Sequence, residues 1–429
     1  MEPVTARDTS YPPRGQRDDE CPWAPIMAIY CVYAIITFLG ALTGNNLQIV
    51  GAVTFLAFIT IQYGRYVFPL PLSGLTLALA VSGSIPLLTL MIGSATWGEA
   101  SLGYLVKYSA LLLLILIFTS LRLPPLFRAR TRSWGLWTTV GILVLGLGLS
   151  GGGAGARLNG IFINPNNFAL AALSILFFVD HERDSRWFIV LMHALVITLI
   201  LLSGTTGALL GYCVGLYVVV ARTRYAVIAH SVLVTLALLL TLFMLASQHL
   251  NPDVFARMGL LGKMMMKAYV MQSVYTEMFS DAKINYWQIG QQYGGAESTS
   301  AVWRIMHWRD TLAAWGNASP LVLLLGFGVG SSEIIMGILP HNDYLRFLFE
   351  VGVLGLLTNG MIWWLLFRAA QPSIRWVCAI IAAYCFTENN LDNFLVMSLF
   401  VLFITSASTR IAAGTPAWRQ SVTAKQPVS

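Results

Sequence analysis

The chain has 429 residues, 57% of them hydrophobic and only 10% charged, with a formal net charge of +7. A soluble globular domain carries about 25% charged residues, so this composition excludes a soluble enzyme and indicates an integral membrane protein. The basic excess sits in connections between apolar runs, which makes it a topology signal and not a nucleic-acid footprint.

Residues 1–22 are polar and mixed in charge, which predicts a disordered cytoplasmic segment with no cleavable signal. Apolar runs long enough to cross a bilayer as helices then recur near 24–44, 47–64, 72–93, 102–121, 134–152, 162–180, 186–202, 204–221, 225–246, 344–369, 374–388 and 391–408. The expected fold is all-α, a polytopic membrane helix bundle of about twelve spans. Nine spans fall in 23–246 and three in 344–408, with one long periplasmic helical loop at 247–343 and a cytoplasmic tail at 409–429.

With the N-terminus inside, Arg65, Arg122, Arg128, Arg130, Arg132, Arg183, Arg186, Arg222, Arg224, Arg368 and Arg375 all fall on the cytoplasmic side. The opposite short turns hold almost nothing basic except Arg157, so both termini are placed in the cytoplasm. Cys21, Cys31, Cys213, Cys378 and Cys385 show no CxxC spacing and read as small apolar residues, not as a disulfide or zinc framework.

Residues 247–343 form the only long connection. Met258, Leu260, Leu261, Met264, Met265, Met266, Val270 and Met271 recur at helical spacing, interrupted by Lys263 and Lys267. They predict an amphipathic helix on the outer leaflet, or equally a helix capping the bundle. Gly290 to Ser300 reads as a mobile, exposed link. A helix over Thr299–Trp315 follows, placing Arg304, His307, Trp308 and Thr311 on one face. The run Leu325-Gly326-Phe327-Gly328-Val329-Gly330 reads as a flexible turn leading to Pro340-His341-Asn342-Asp343-Tyr344.

His341 stands where a membrane helix meets water, and Asn342 is a good cap for the helix that begins near Asp343. The positive end of that helix disfavours a protonated imidazole, which suits a general base; the plainer alternative is a hydrogen-bonding interfacial histidine. Arg157 precedes Asn164-Pro165-Asn166, a cap followed by proline at the first helical position. A guanidinium beside a helix N-terminus makes an anion site suited to phosphate. The alternative for Arg157, and for Arg304 between Trp303 and Trp308, is an arginine that anchors at headgroups. Arg309 is a further cation on this side, and Lys107 either snorkels or lines a cavity. Arg346 and Glu350 are one turn apart and are expected to pair. Glu388 and Asp392 read as solvated residues of a short outer turn, and His193 and His230 as satisfied within the bundle. No acidic cluster or His/Glu spacing suggests a metal, so no metal or other cofactor is expected.

Together these residues resemble the O-antigen ligase and polymerase superfamily of bacterial envelope enzymes. The ligase signature is His, then Asn, Ser or Gln, nine residues, Gly, two residues, and Gly, Thr or Tyr. Here His341-Asn342 is followed after nine residues by Gly352, and then by Gly355. Gly326 to Gly330, Arg304, and Arg157 ahead of Asn164-Pro165-Asn166 fit the same outline, which covers roughly residues 150–360. The superfamily pattern carries an arginine in the outer turn after the seventh span, where this chain reads Leu202-Ser203-Gly204-Thr205-Thr206-Gly207. Lys107 or Arg309 is a candidate to supply that charge.

The resemblance implies an enzyme of the bacterial inner membrane with a periplasmic site. The donor would be a polysaccharide on undecaprenyl diphosphate, the acceptor a sugar hydroxyl of lipid A–core, and membrane lipids the surroundings. It implies His341 as base and Arg304 and Arg157 at the diphosphate. Asn342, Asn166, Trp303, His307, Trp308, Arg309 and Lys107 complete the expected binding site. O-antigen polymerase and protein O-oligosaccharyltransferase are rivals of the same class; a lipid-linked sugar transporter is the rival outside it.

Overall fold

A computed structural model of the chain describes residues 23–45, 47–67, 74–93, 98–121, 123, 125–148, 160–162, 164–221 and 296–406, with scattered positions in 227–235 and 266–271. The described residues are 85% helix with no strand. Backbone groups in lipid have no water to bond, so an apolar chain of this kind must satisfy them within helices.

The first eight helices are α1 (Trp23–Thr43), α2 (Leu47–Tyr63), α3 (Gly74–Gly93), α4 (Gly98–Leu121), α5 (Arg132–Leu147), α6 (Pro165–Ser174), α7 (Arg186–Ser203) and α8 (Thr206–Val220). After the long connection come α9 (Ala296–Gly316), α10 (Pro320–Leu325), α11 (Ser331–Met336), α12 (Asp343–Ala369), α13 (Arg375–Cys385) and α14 (Phe394–Ser406). The stretches Trp23–Thr43, Leu47–Val67, Leu102–Leu121, Arg186–Ser203 and Asp343–Ala369 are long and apolar enough to cross a membrane. Helices also occupy the other expected runs, in shorter form, except 225–246, most of which lies outside the described residues.

Every residue of α14 is buried, and its Phe403 stacks on Phe177 with ring centroids 4.9 Å apart. Around it α4 packs on α14, α8 on α13, α1 on both α2 and α5, and α3 on α12. Apolar side chains also point outward, with Leu77 65% and Ile61 83% exposed, as a lipid-facing belt requires.

One group of ion pairs gathers beyond the C-terminal end of α6. Arg128 meets Asp180 at 3.6 Å and Glu182 at 3.0 Å, and Arg132 pairs with Asp184. Arg132 also reaches the Phe178 carbonyl at 3.4 Å, beyond the C-terminal end of α6. The other end of α6 begins at Asn164, whose side chain accepts from the Asn166 amide at 2.8 Å, with Pro165 following as expected. His193 is satisfied, as anticipated, by His181 at 3.0 Å and the Tyr212 hydroxyl.

In the connection before α12, most of 258–271 lies outside the described residues, but Val270 packs on Val302 and Met306 of α9. The α9 helix starts at Ala296, three residues before the expected Thr299, so part of the anticipated link is helical. The Gly326–Gly330 segment is docked and not a free turn. Its Phe327 and Gly328 amides donate to the Phe349 and Glu350 carbonyls at 2.9 and 2.8 Å. Those carbonyls are available because α12 breaks at Gly352, with φ 67° and ψ −172°, a conformation essentially confined to glycine.

Candidate functional site

The site grows from the start of α12. Asn342 caps the helix through its side-chain oxygen, which accepts from the Leu345 amide at 3.0 Å, as its position before Asp343 predicts. His341 is forced just outside the helix at φ 50°, the single positive φ among described non-glycine residues. Such backbone costs roughly 1–3 kcal/mol and persists only where its surroundings fix it. Here the preceding Pro340 carbonyl accepts from the Trp308 indole at 2.5 Å, and the Trp303 ring meets the imidazole edge-on at 5.4 Å.

So held, His341 turns its Nδ1 to the Glu388 carboxylate at 2.8 Å. The other carboxylate oxygen accepts from Arg304 Nη2 at 2.6 Å. Glu388 is 4% exposed, which overturns its reading as a solvated turn residue. The correction has a clear physical source: its partners lie 47 and 84 residues away, and a local reading of a polar turn cannot see them. An ionised carboxylate only accepts, so the contact is made by Nδ1–H, and in the neutral tautomer that makes it Nε2 is the acceptor. The His341 side chain keeps 22% of its surface accessible.

Arg304 retains donors. Its Nε is buried without a hydrogen-bond partner among the described residues, and Nη1 makes only a long contact to the Ser300 carbonyl at 3.4 Å. Trp303 stacks flat on His307, with centroids 5.0 Å apart and planes at 12°. His307 Nε2–H donates to the Ile338 carbonyl at 3.1 Å. Burial lowers the His307 pKa below its ordinary 6.5, with His341 adding to the shift and the Ile338 bond opposing it. A neutral ring therefore backs the Trp303 indole, which in turn meets His341, as an aromatic shelf.

The turn before α8 closes the other side. Gly207 lies so close to α13 that a Cβ there would collide with the Thr387 hydroxyl, next to Glu388. Thr205 contacts Asn166 Oδ1 at 3.3 Å, and Tyr384 donates to the Asn166 carbonyl at 2.8 Å. Lys267 Nζ reaches Thr206 Oγ1 at 3.5 Å. A cation thus stands at the turn that holds no arginine, and it comes from the methionine-rich stretch, where the sequence showed it only as an interruption of an apolar pattern.

His341, Arg304, Trp303, His307, Trp308 and Asn342 lie together at the start of α12. Asn166 joins them as a structural tie for the Thr205–Gly207 turn and not as an open ligand. Arg309 turns to its neighbour Asp310 at 2.8 Å, because at α9 position 309 it is rotated off the face carrying Arg304 and Trp308. Arg157 lies outside the described residues. Lys107 lies over the Tyr104 ring at 5.3 Å and lines a separate small cavity of about 30 Å³ with Asp343, Arg346, Glu350 and Asp392. There Arg346 pairs with Glu350 at 3.1 Å, as its spacing predicts, and also with Asp392 at 2.8 Å. The second contact corrects the reading of Asp392 as a solvated turn residue.

Comparison with family models and with curated proteins finds no match to this chain.

Proposed function

We propose that the chain is a membrane glycosyltransferase of O-antigen ligase type. It would move a polysaccharide from undecaprenyl diphosphate to a sugar hydroxyl of lipid A–core, on the periplasmic face of the bacterial inner membrane. One observation carries the reading: a single buried carboxylate, Glu388, holds the imidazole of His341 on one oxygen and the guanidinium of Arg304 on the other. The proposed topology has about twelve spans and both termini in the cytoplasm. It draws support from the separation of the Arg128–Arg132 ion pairs, at one end of α6, from the His341 site at the other.

In the proposed reaction the acceptor hydroxyl gives its proton to His341 Nε2 as its oxygen attacks the anomeric carbon. The bond from that carbon to the diphosphate oxygen breaks on the opposite face, so the configuration inverts. The electron pair leaves with undecaprenyl diphosphate, whose charge Arg304, Lys267 and Arg157 offset; a lost donor of this kind typically costs about 10²–10³ in rate. Glu388 keeps His341 in the tautomer that accepts and faces the imidazolium as it forms. The proton then passes to water. The donor brings its own leaving group, so the scheme calls on no nucleotide and no metal.

A lipid-linked sugar transporter is the second reading, favoured by the buried cavity of Lys107, Asp343, Arg346, Glu350 and Asp392, since ionisable groups among membrane helices often mark transport paths. Incubating the purified chain with lipid-linked glycan and core-only lipopolysaccharide separates the readings. Transfer yields a glycan ladder on lipopolysaccharide, abolished by His341→Ala. Lengthening of the lipid-linked glycan alone would indicate a polymerase, and glycan capture by a protein a protein O-oligosaccharyltransferase. No bond formation, with movement of the lipid between leaflets, would favour transport. Full turnover by His341→Ala removes the general base from the scheme.

A further inference from the structure

Beside the contact between His341 and Glu388, the same two segments are joined by deeper ones in matching register. Asp343 Oδ2 accepts from the Asn390 amide at 2.8 Å and the Leu391 amide at 3.3 Å. Arg346 Nη1 donates to Asp392 Oδ2 at 2.8 Å. Residues 341, 343 and 346 thus face 388, 390 and 392 as three rungs of one polar ladder. Burial is deepest at the middle rung: the His341 side chain is 22% exposed, Asp343 2%, and the Arg346 and Asp392 side chains 9% and 21%.

The outer rung needs this support. His341 precedes its helix at a strained φ, and Glu388 lies three residues beyond the end of α13, tied back to it only through its amide, which donates to the Tyr384 carbonyl at 3.1 Å. Asp343 lies in the first turn of the helix that His341 precedes, and it grips backbone amides two and three residues beyond Glu388. A carboxylate gripping two main-chain amides fixes the path of that segment, not merely a side chain. Arg346 is anchored from behind by Glu350, which also accepts from Ser332, and its guanidinium lies over Tyr104 at 4.5 Å.

We infer that Asp343, backed by Arg346, is a positioning residue that sets Glu388 against His341. Its purpose rests on the general-base reading, but the clamp itself can be read without any transfer assay. The test uses the full chain in lipid nanodiscs and the variants Asp343→Ala and Asp343→Asn. The amide of Asn keeps an oxygen that can accept both backbone N–H groups; Ala does not.

Asp343→Ala is expected to speed hydrogen exchange at Asn390 and Leu391 by about tenfold, the scale of losing one or two hydrogen bonds. It should also shift diethyl pyrocarbonate modification of His341, followed by mass spectrometry, away from the wild-type rate and toward that of Glu388→Gln. In the transfer assay kcat should fall by about 10²-fold with the donor KM held, as expected for a misplaced base. Asp343→Asn should restore most of each readout. Wild-type His341 reactivity in Asp343→Ala overturns the inference, as does an asparagine variant as damaged as alanine. Should the alanine variant fail to fold, Asp343→Ser, whose hydroxyl is too short to reach both amides, carries the same comparison. If His341→Ala retains full transfer, the general-base reading falls, while His341 reactivity and amide exchange still decide the clamp.

Discussion

Replacing Glu388 by glutamine changes one atom and tests the centre of the scheme. The carboxylate accepts on both oxygens, from His341 at 2.8 Å and from Arg304 at 2.6 Å. Glutamine has one acceptor and one donor group, so it can satisfy only one of them. With its oxygen on Arg304, its NH₂ faces His341 Nδ1, which must give up its proton. The proton moves to Nε2, where the lone pair is required, and the precedent of catalytic triads puts this tautomer error at about 10⁴ in kcat. With its oxygen on His341, two donors meet at Arg304 in a buried site. That costs about 1–3 kcal/mol, or roughly 10–10²-fold if it falls on the transition state. The expected loss is therefore about 10–10⁴ in kcat with little change in donor KM, measured as the initial rate of glycan transfer at saturating donor. Wild-type turnover by Glu388→Gln, alongside an inactive His341→Ala, would refute the orienting role of the carboxylate.

Gly352→Ala should destabilise the fold by about 3 kcal/mol or more, because it forces a side chain into glycine-only backbone and against the Leu324 carbonyl. A melting temperature in detergent equal to wild type would contradict this. Arg346→Met leaves the Glu350 and Asp392 carboxylates facing each other without their cation, an expected cost of about 3–5 kcal/mol. Adding Glu350→Gln and Asp392→Asn should recover most of the loss in the same melting assay. The pH response of α9 follows from His307, whose pKa in the folded chain lies below 6.5. The neutral ring is favoured in place and the proton binds more readily once the shelf opens. Its contribution is complete above 6.5 and is lost as pH falls through the lowered value. Protection over residues 303–311, from exchange rates corrected for their intrinsic pH dependence, should fall from about pH 7.5 to about pH 5 in wild type and respond less in His307→Gln.

The helices were legible because lipid imposes long apolar runs, and caps such as Asn164-Pro165 and Asn342 carry local signals that do not depend on the rest of the fold. The face of α9 bearing Arg304, His307 and Trp308 followed from helical spacing alone. What stayed hidden was long-range. Glu388 and Asp392 occupy a short polar turn that looks solvated until α9 and α12 are brought against it. Lys267 sits in a methionine-rich stretch whose periodicity says nothing of its contact with Thr206, some sixty residues earlier in the chain. The Gly326–Gly330 segment looked flexible from its glycines. Their freedom instead lets the backbone approach the broken helix closely enough to hydrogen-bond to it.

That break also gives a physical meaning to the interval between His341 and Gly352. Ten residues from Asn342 to Gly352 span about 15 Å, close to three turns of helix. The upper end is fixed by the Asn342 cap and by the contacts to 388–392, the lower end by the amides of Phe327 and Gly328. Between them Asp343, Arg346 and Glu350 recur at i, i+3 and i+7, so one face carries the buried ion network. Each residue added or removed would turn one end against the other by about 100°. Either the ladder or the docked segment would then lose its partner. The spacing is thus a requirement on how a rod is seated. It does not by itself specify a reaction, because the carboxylate that orients the imidazole lies outside the interval, on a turn that the rod must reach.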